Sequence, residues 1–132
     1  MNPYSKYKQA SSLSWTRIDM LLVVYDQTVF ALDEGQRLLA EKRTSELPGV
    51  RLKAMRALVA IVDGLDLAQP GLPVQILRLV EFSLEQIKSD SADAWRAASN
   101  VIGKLREGFL EIQEQARVDE YEGRIPALNA VG

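Results

Sequence analysis

The sequence contains one dominant apolar run, Met20-Leu21-Leu22-Val23-Val24-Tyr25-Asp26, and the segment Val29-Phe30-Ala31-Leu32 follows it closely. Neither segment contains glycine or proline, and Thr16 with Asp19 before them resembles the capping box that begins a helix. Wound as a helix, the run places apolar groups on nearly every side, whereas a surface helix normally shows one apolar stripe of about 100°. We therefore expect either a central core helix of a bundle or a core helix that also forms the wall of a binding groove.

Length and composition predict a single globular domain. The chain has 132 residues, of which 47% are hydrophobic and 26% are charged, and such a chain can bury a substantial core. Its formal net charge is −2 and its basic residues are scattered, so we expect no nucleic-acid partner. No apolar segment reaches the roughly 18 residues of a membrane span, and residues 1–7 lack the apolar centre of a secretory signal. The expected compartment is the cytoplasm, without direct membrane insertion.

The residue types argue against catalysis. The sequence has neither cysteine nor histidine, which excludes disulfides, thiol chemistry and metal sites built on these ligands. Adjacent carboxylates such as Asp33 and Glu34 point in different directions on a helix, and no Glu-x-x-His pair is available for a di-iron centre. We therefore expect no catalytic residue, no metal, no cofactor and no enzymatic activity.

Apolar residues at helical spacing predict four helices, at residues 17–42, 48–65, 73–88 and 91–121. Residues 1–15 are expected to form an N-terminal arm that packs on the helices, and residues 122–132 a mobile tail. Four amphipathic helices with short connections fold most simply as an all-α, antiparallel up-down four-helix bundle. The whole chain, residues 1–132, would then be one domain.

Three of the predicted helices carry more specific expectations. Gly35 lies inside the first helix at a cost of roughly 1 kcal/mol relative to alanine, so either a neighbouring helix passes close to it or the second half of this helix is weak. The second helix has apolar residues at helical spacing, namely Leu52, Met55, Leu58, Val59, Val62 and Leu65. The fourth has a heptad seam, namely Trp95, Ala98, Ile102, Leu105, Phe109, Ile112 and Ala116.

Four short motifs follow one another in the order and spacing of a known family. Met1-Asn2-Pro3-Tyr4-Ser5-Lys6-Tyr7-Lys8-Gln9 looks like an N-terminal tyrosine motif, and Val24-Tyr25-Asp26-Gln27 looks like a Leu-Tyr-Asp-Gly signature with valine for leucine and glutamine for glycine. Gln75-Ile76, with Leu79-Val80-Glu81-Phe82 after it, is similar to Asn-Leu…Leu-Tyr-x-Tyr, and Leu105-Arg106-Glu107-Gly108-Phe109 is similar to a closing Leu-Arg-x-x-Trp. Over residues 1 to about 115, the chain resembles the flagellar secretion chaperones of the FliS family.

This resemblance implies a cytoplasmic four-helix chaperone without enzymatic activity. Members of the family bind the C-terminal segment of flagellin, which is disordered in the free monomer, prevent its premature polymerisation and deliver it to the membrane export gate of the flagellar type III secretion system. The partners implied are thus flagellin and an export-gate protein. The residues expected to bind a partner are Tyr4, Tyr7, Met20, Leu21, Val24, Tyr25, Asp26, Ile76, Leu79, Val80 and Phe82.

Physical reasoning supports the same function and leaves alternatives open. Apolar grooves between helices can cover the apolar face of a foreign helix, and the first and third helices have more apolar residues than one narrow stripe. That surplus can serve as plain core, as a cargo groove or as the interface of a weak homodimer. We hypothesise that Tyr4 and Tyr7 cover part of the groove until cargo displaces them. The alternative function is a helical adaptor or self-assembling bundle for a different export or regulatory partner.

Overall fold

A computed structural model describes residues 16–69 and 71–123, and these residues form four α-helices. They are α1 (Arg17–Ala40), α2 (Leu47–Asp63), α3 (Leu72–Gln86) and α4 (Ala92–Tyr121), with a short 3-10 turn at Thr44–Glu46. Within the two described ranges no residue belongs to a β-strand. The predicted all-α four-helix bundle is confirmed, whereas the predicted arm and most of the predicted tail lie outside the described residues.

The helices form a ring: consecutive helices pack on each other, and α4 packs back on α1. α1 packs on α2 and α4, and α3 packs on the same two helices, so α1 and α3 occupy opposite corners of the bundle. α1 and α4 are antiparallel, because Asp19 near the start of α1 binds Arg117 near the end of α4, while Asp33 further along α1 binds Ser99. The two helices predicted to supply the groove are therefore not neighbours.

The helix ends follow from local chemistry. The predicted capping box at the start of α1 is confirmed: the Thr16 hydroxyl accepts from the Asp19 N–H, and the Asp19 carboxylate accepts from the Thr16 N–H. α1 ends at Ala40, two residues before the predicted end, because Lys42 has a positive φ of 57°. With Lys42 in this left-handed conformation, the Arg43 N–H donates to the Leu38 carbonyl at 2.8 Å, which is the Schellman closure of a helix.

The tightest contact of a glycine in the bundle lies between Gly35, near the end of α1, and Trp95, in the first turn of α4. A Cβ atom on Gly35 would lie 2.2 Å from Trp95 Cζ3, so of the two alternatives expected for this glycine, the structure shows the close approach of a neighbouring helix. Trp95 is fully buried, its indole N–H donates to the Ser89 carbonyl at 2.9 Å, and the Arg51 guanidinium lies over its ring at 5.8 Å. The absence of a side chain at Gly35 is what lets the indole ring lie against the α1 backbone.

The buried face of α2 differs from the expected one. Its buried residues are Leu47, Val50, Ala54, Leu58 and Ile61. Three of the residues predicted from helical spacing, Leu52, Met55 and Val59, are instead exposed. The helix has two apolar stripes, and the neighbouring helices cover only the one that contains Leu58.

The heptad seam of α4 holds as far as Phe109, because the half-buried Leu105 and Phe109 still pack against the core. Trp95, Ala98 and Ile102 are fully buried, but Ile112 is exposed, since α4 has 30 residues and α3 only 15. Near the end of α4 the side chains in contact with α1 are polar, namely Gln113, Arg117 and Glu120. Gln113 and Arg117 bind the Asp19 carboxylate, and the buried Glu120 accepts the Arg17 N–H at 3.2 Å.

A membrane-spanning helix is absent from the described ranges, because none of the four helices combines sufficient length with sufficient apolar character.

Candidate partner-binding surfaces

Three residues predicted to contact a partner are core residues. Tyr25, Ile76 and Val80 are buried and belong to the main hydrophobic cluster. Helical spacing alone does not distinguish them from surface residues, because α1 and α3 have apolar residues on more than one side. A partner cannot reach these three side chains while the bundle is closed, so the candidate surfaces below omit them.

The other predicted residues, apart from Asp26, divide into three groups. Met20 and Phe82 are exposed and Leu79 is half-buried. Leu21 and Val24 are half-buried and pack against the core. Tyr4 and Tyr7 lie outside the described residues, so the covering role predicted for them stays a prediction.

Asp26 is half-buried and forms an ion pair with Arg106 of α4 rather than bonding the neighbouring tyrosine. Tyr25 packs its ring against Phe109, with ring centroids 5.3 Å apart. Its hydroxyl has no hydrogen-bond partner among the described residues. Burial raises the pKa of Tyr25 to about 12, because the phenolate would have to exist without water.

Replacing Tyr25 with phenylalanine should leave the free energy of unfolding unchanged or raise it by up to about 1 kcal/mol, since an unpaired buried hydroxyl is itself destabilising. The folded-state pKa of about 12 exceeds the ordinary value of 10.0. The wild-type chain should therefore lose stability as pH rises from 10 towards 12, because the unfolded state ionises first. Urea unfolding across this pH range measures both effects. If the phenylalanine variant lost as much stability at alkaline pH as the wild type, the loss would not come from the ionisation of Tyr25.

The first candidate surface, here the α2 face, consists of Leu52, Met55 and Val59. Their spacing of three and four residues places them on one side of the helix, and they are 47%, 43% and 47% exposed. Arg56 is exposed beside them, and Lys53 is exposed further round the helix. The prediction from sequence gave these residues only as part of the helical spacing of α2 and named no surface there; the excess of apolar residues on so short a helix was the available signal.

A second candidate surface, the α3 face, consists of Leu72, Leu79 and Phe82. Their spacing of seven and three residues also places them on one side of the helix. Leu72 and Phe82 are exposed and Leu79 is half-buried. The prediction from sequence included Leu79 and Phe82 but not Leu72, because the predicted third helix begins at Pro73, one residue later.

The third candidate surface is a groove between α1 and α4 with a volume of ≈ 390 Å³. Its lining residues are Asp26, Val29, Phe30, Asp33, Gly103, Arg106 and Glu107. Phe30 is 72% exposed, more than any other large hydrophobic residue described. Among these residues the prediction from sequence had included only Asp26.

None of the three surfaces has the composition of a metal centre, and the described residues contain no cluster of acidic side chains that could hold a metal ion. Comparisons with known protein families, with curated proteins and with solved structures found no match for this chain.

Proposed function

We propose that this chain is a cytoplasmic export chaperone that binds the C-terminal segment of flagellin and delivers it to the flagellar export gate. The observation that carries the proposal is the α2 face, three apolar side chains in register on the surface of a small helical bundle. The order and spacing of the motifs shared with the FliS family support it. The cargo lies on the α2 face and the α3 face, not on the buried residues Tyr25, Ile76 and Val80.

The energetics of such a complex suit exposed apolar faces. A disordered cargo loses roughly 1–2 kcal/mol of backbone entropy per residue when it is ordered, so its helix must gain a long apolar contact in return. Burying apolar surface yields about 25 cal/mol per Å², and much of this gain is offset by association and ordering. The resulting complex is releasable, as delivery to an export gate requires.

The binding partner is tested by size-exclusion chromatography with flagellin from the same cell, either full-length or lacking its C-terminal segment. The full-length flagellin should co-elute with the chain and the truncated one should not. A complex that survives the truncation contradicts the proposed mode of binding. A chain that ignores both proteins contradicts the proposed cargo.

The α2 face is tested by changing Leu52, Met55 and Val59 together to glutamine, which is a good helix former. Each half-exposed side chain should contribute about 0.5 kcal/mol or a little more, so we expect the affinity for flagellin to fall roughly tenfold. Isothermal titration calorimetry measures the change. The matched control changes Lys53 and Ala60, exposed residues elsewhere on α2, to glutamine; an equal loss in both variants would exclude the α2 face as the contact.

A further inference from the structure

The α1/α4 groove is formed by helices other than those that carry the α2 and α3 faces, and the α1–α4 pair lies opposite the α2–α3 pair in the ring. Its apolar part is Phe30 with Val29, and a gap beside them is formed by Gly103. Apart from the adjoining backbone of α4 and the two residues next to Gly103, no atom lies within 4 Å of the position where a Cβ would stand on Gly103. Neither the core nor the proposed cargo surface accounts for this exposed aromatic ring.

The charges around the groove are unbalanced. Three carboxylates, those of Asp26, Asp33 and Glu107, line it together with one guanidinium, that of Arg106. Arg106 is already paired with Asp26, and Asp33 accepts a hydrogen bond from the Ser99 hydroxyl. Among the described residues no lysine or arginine forms an ion pair with Asp33 or Glu107. The groove therefore has two carboxylates that no cation in the described ranges neutralises.

We propose that the α1/α4 groove binds a second partner protein through an amphipathic segment that presents a lysine or arginine beside an apolar side chain. The apolar side chain fills the gap at Gly103, and the cationic residue extends its aliphatic stem along the groove as far as the Phe30 ring. Its charged head then lies over the ring face, where the aromatic quadrupole attracts a cation, and within reach of the carboxylates of Asp33 and Glu107. A nucleic acid does not fit, because its phosphates carry the same sign of charge as the groove.

This site is independent of the flagellin proposal, since it uses neither the α2 face nor the α3 face. A chaperone with both surfaces can hold cargo on one side and a basic partner on the other at the same time. The same groove would serve an adaptor equally well if the cargo were not flagellin.

Two synthetic amphipathic helical peptides of equal length test the proposal on the full chain. Both present the same leucine face, and they differ only in having lysine or glutamate at the flanking positions. In ¹⁵N-resolved NMR titrations the lysine peptide should shift the amide signals of Val29, Phe30 and Gly103. It should bind roughly tenfold more tightly than the glutamate peptide, because like charges across an interface repel, and its affinity should fall as salt is added.

The variants Phe30→Ala and Glu107→Gln should each weaken the lysine peptide about two- to fivefold, the range expected for an exposed cation–aromatic or ion-pair contact. Both residues are exposed, so the bundle should keep its fold. Glu81→Gln is the matched control, because it removes an exposed carboxylate from α3, across the bundle from α1. Equal affinity for the two peptides would overturn the proposal, as would shifts confined to α2, or a self-association that Phe30→Ala abolishes.

Discussion

Replacing Gly35 with alanine should lower the free energy of unfolding by about 2 kcal/mol or more, the effect expected of overpacking a tight core. The new Cβ would stand 2.2 Å, 2.3 Å and 2.9 Å from three carbons of the Trp95 ring. The ring cannot move aside without breaking its hydrogen bond to the Ser89 carbonyl and its contact with Arg51. α1 and α4 must therefore separate, although alanine favours the helix itself by about 1 kcal/mol.

Urea unfolding measures the loss, and thermal unfolding should show a fall of roughly 5–10 °C in Tm. The matched control is Gly108→Ala in α4, where a Cβ would meet no atom within 4 Å beyond the adjoining helix backbone and the two neighbouring residues, and the chain should gain about 0.5–1 kcal/mol. In the Gly35→Ala background, the further change Trp95→Phe should cost less than it does in the wild type. Gly35→Ala and Gly108→Ala variants of equal stability would show that the close approach is not what requires glycine.

The helices themselves were predictable from the sequence, because their signals are local. The capping box at Thr16 and Asp19 and the apolar spacing of each segment require no knowledge of the neighbours. Gly35 was only partly predictable. A glycine inside an apolar helix signals either a close approach or a weak point, and the sequence does not state that Trp95 is its partner, because the register between α1 and α4 depends on the whole bundle.

The candidate surfaces were less predictable, because exposure depends on the relative lengths and order of the helices. Leu52 and Leu58 are equally apolar, and only the placement of α2 between α1 and α3 decides that Leu58 is buried and Leu52 is not. The sequence around Tyr25 is compatible with a core or a groove, and its burial against Phe109 of another helix makes it a core residue. The polar contact of Gln113 and Arg117 with Asp19, at one end of the α1–α4 interface, was not predicted, because the spacing of apolar residues carries no information about polar side chains.

The α1–α4 contact at that polar end should be lost in part when Arg117 is replaced by methionine. Arg117 Nε and Nη2 donate to Asp19 Oδ1 at 2.9 and 2.6 Å, and Gln113 donates to the same oxygen at 3.0 Å. The Asp19 side chain is only 6% exposed. Removing the guanidinium leaves a buried carboxylate with weaker partners, so we expect a loss of about 2 kcal/mol in the free energy of unfolding.

The matched control is Lys88→Met, which breaks an ion pair with Glu85 in which both side chains are mostly exposed. Such a surface pair should contribute less than about 0.5 kcal/mol. If the two methionine variants lose equal stability, the buried position of Asp19 does not strengthen its bond with Arg117.

The loss caused by Arg117→Met should depend on pH in a direction that the Asp19 environment sets. Burial acts to raise the pKa of Asp19, but its hydrogen bonds with Arg117, Gln113 and Thr16 outweigh burial, so the pKa lies below 3.8. Because the unfolded chain binds this proton more readily, the charged form stabilises the bundle above about pH 4, and that stabilisation disappears as pH falls further. The gap between wild type and variant in urea unfolding should be full near neutral pH and shrink below about pH 4. A gap that stays constant into strong acid would mean that Arg117 stabilises the helix pair by packing rather than by its charge.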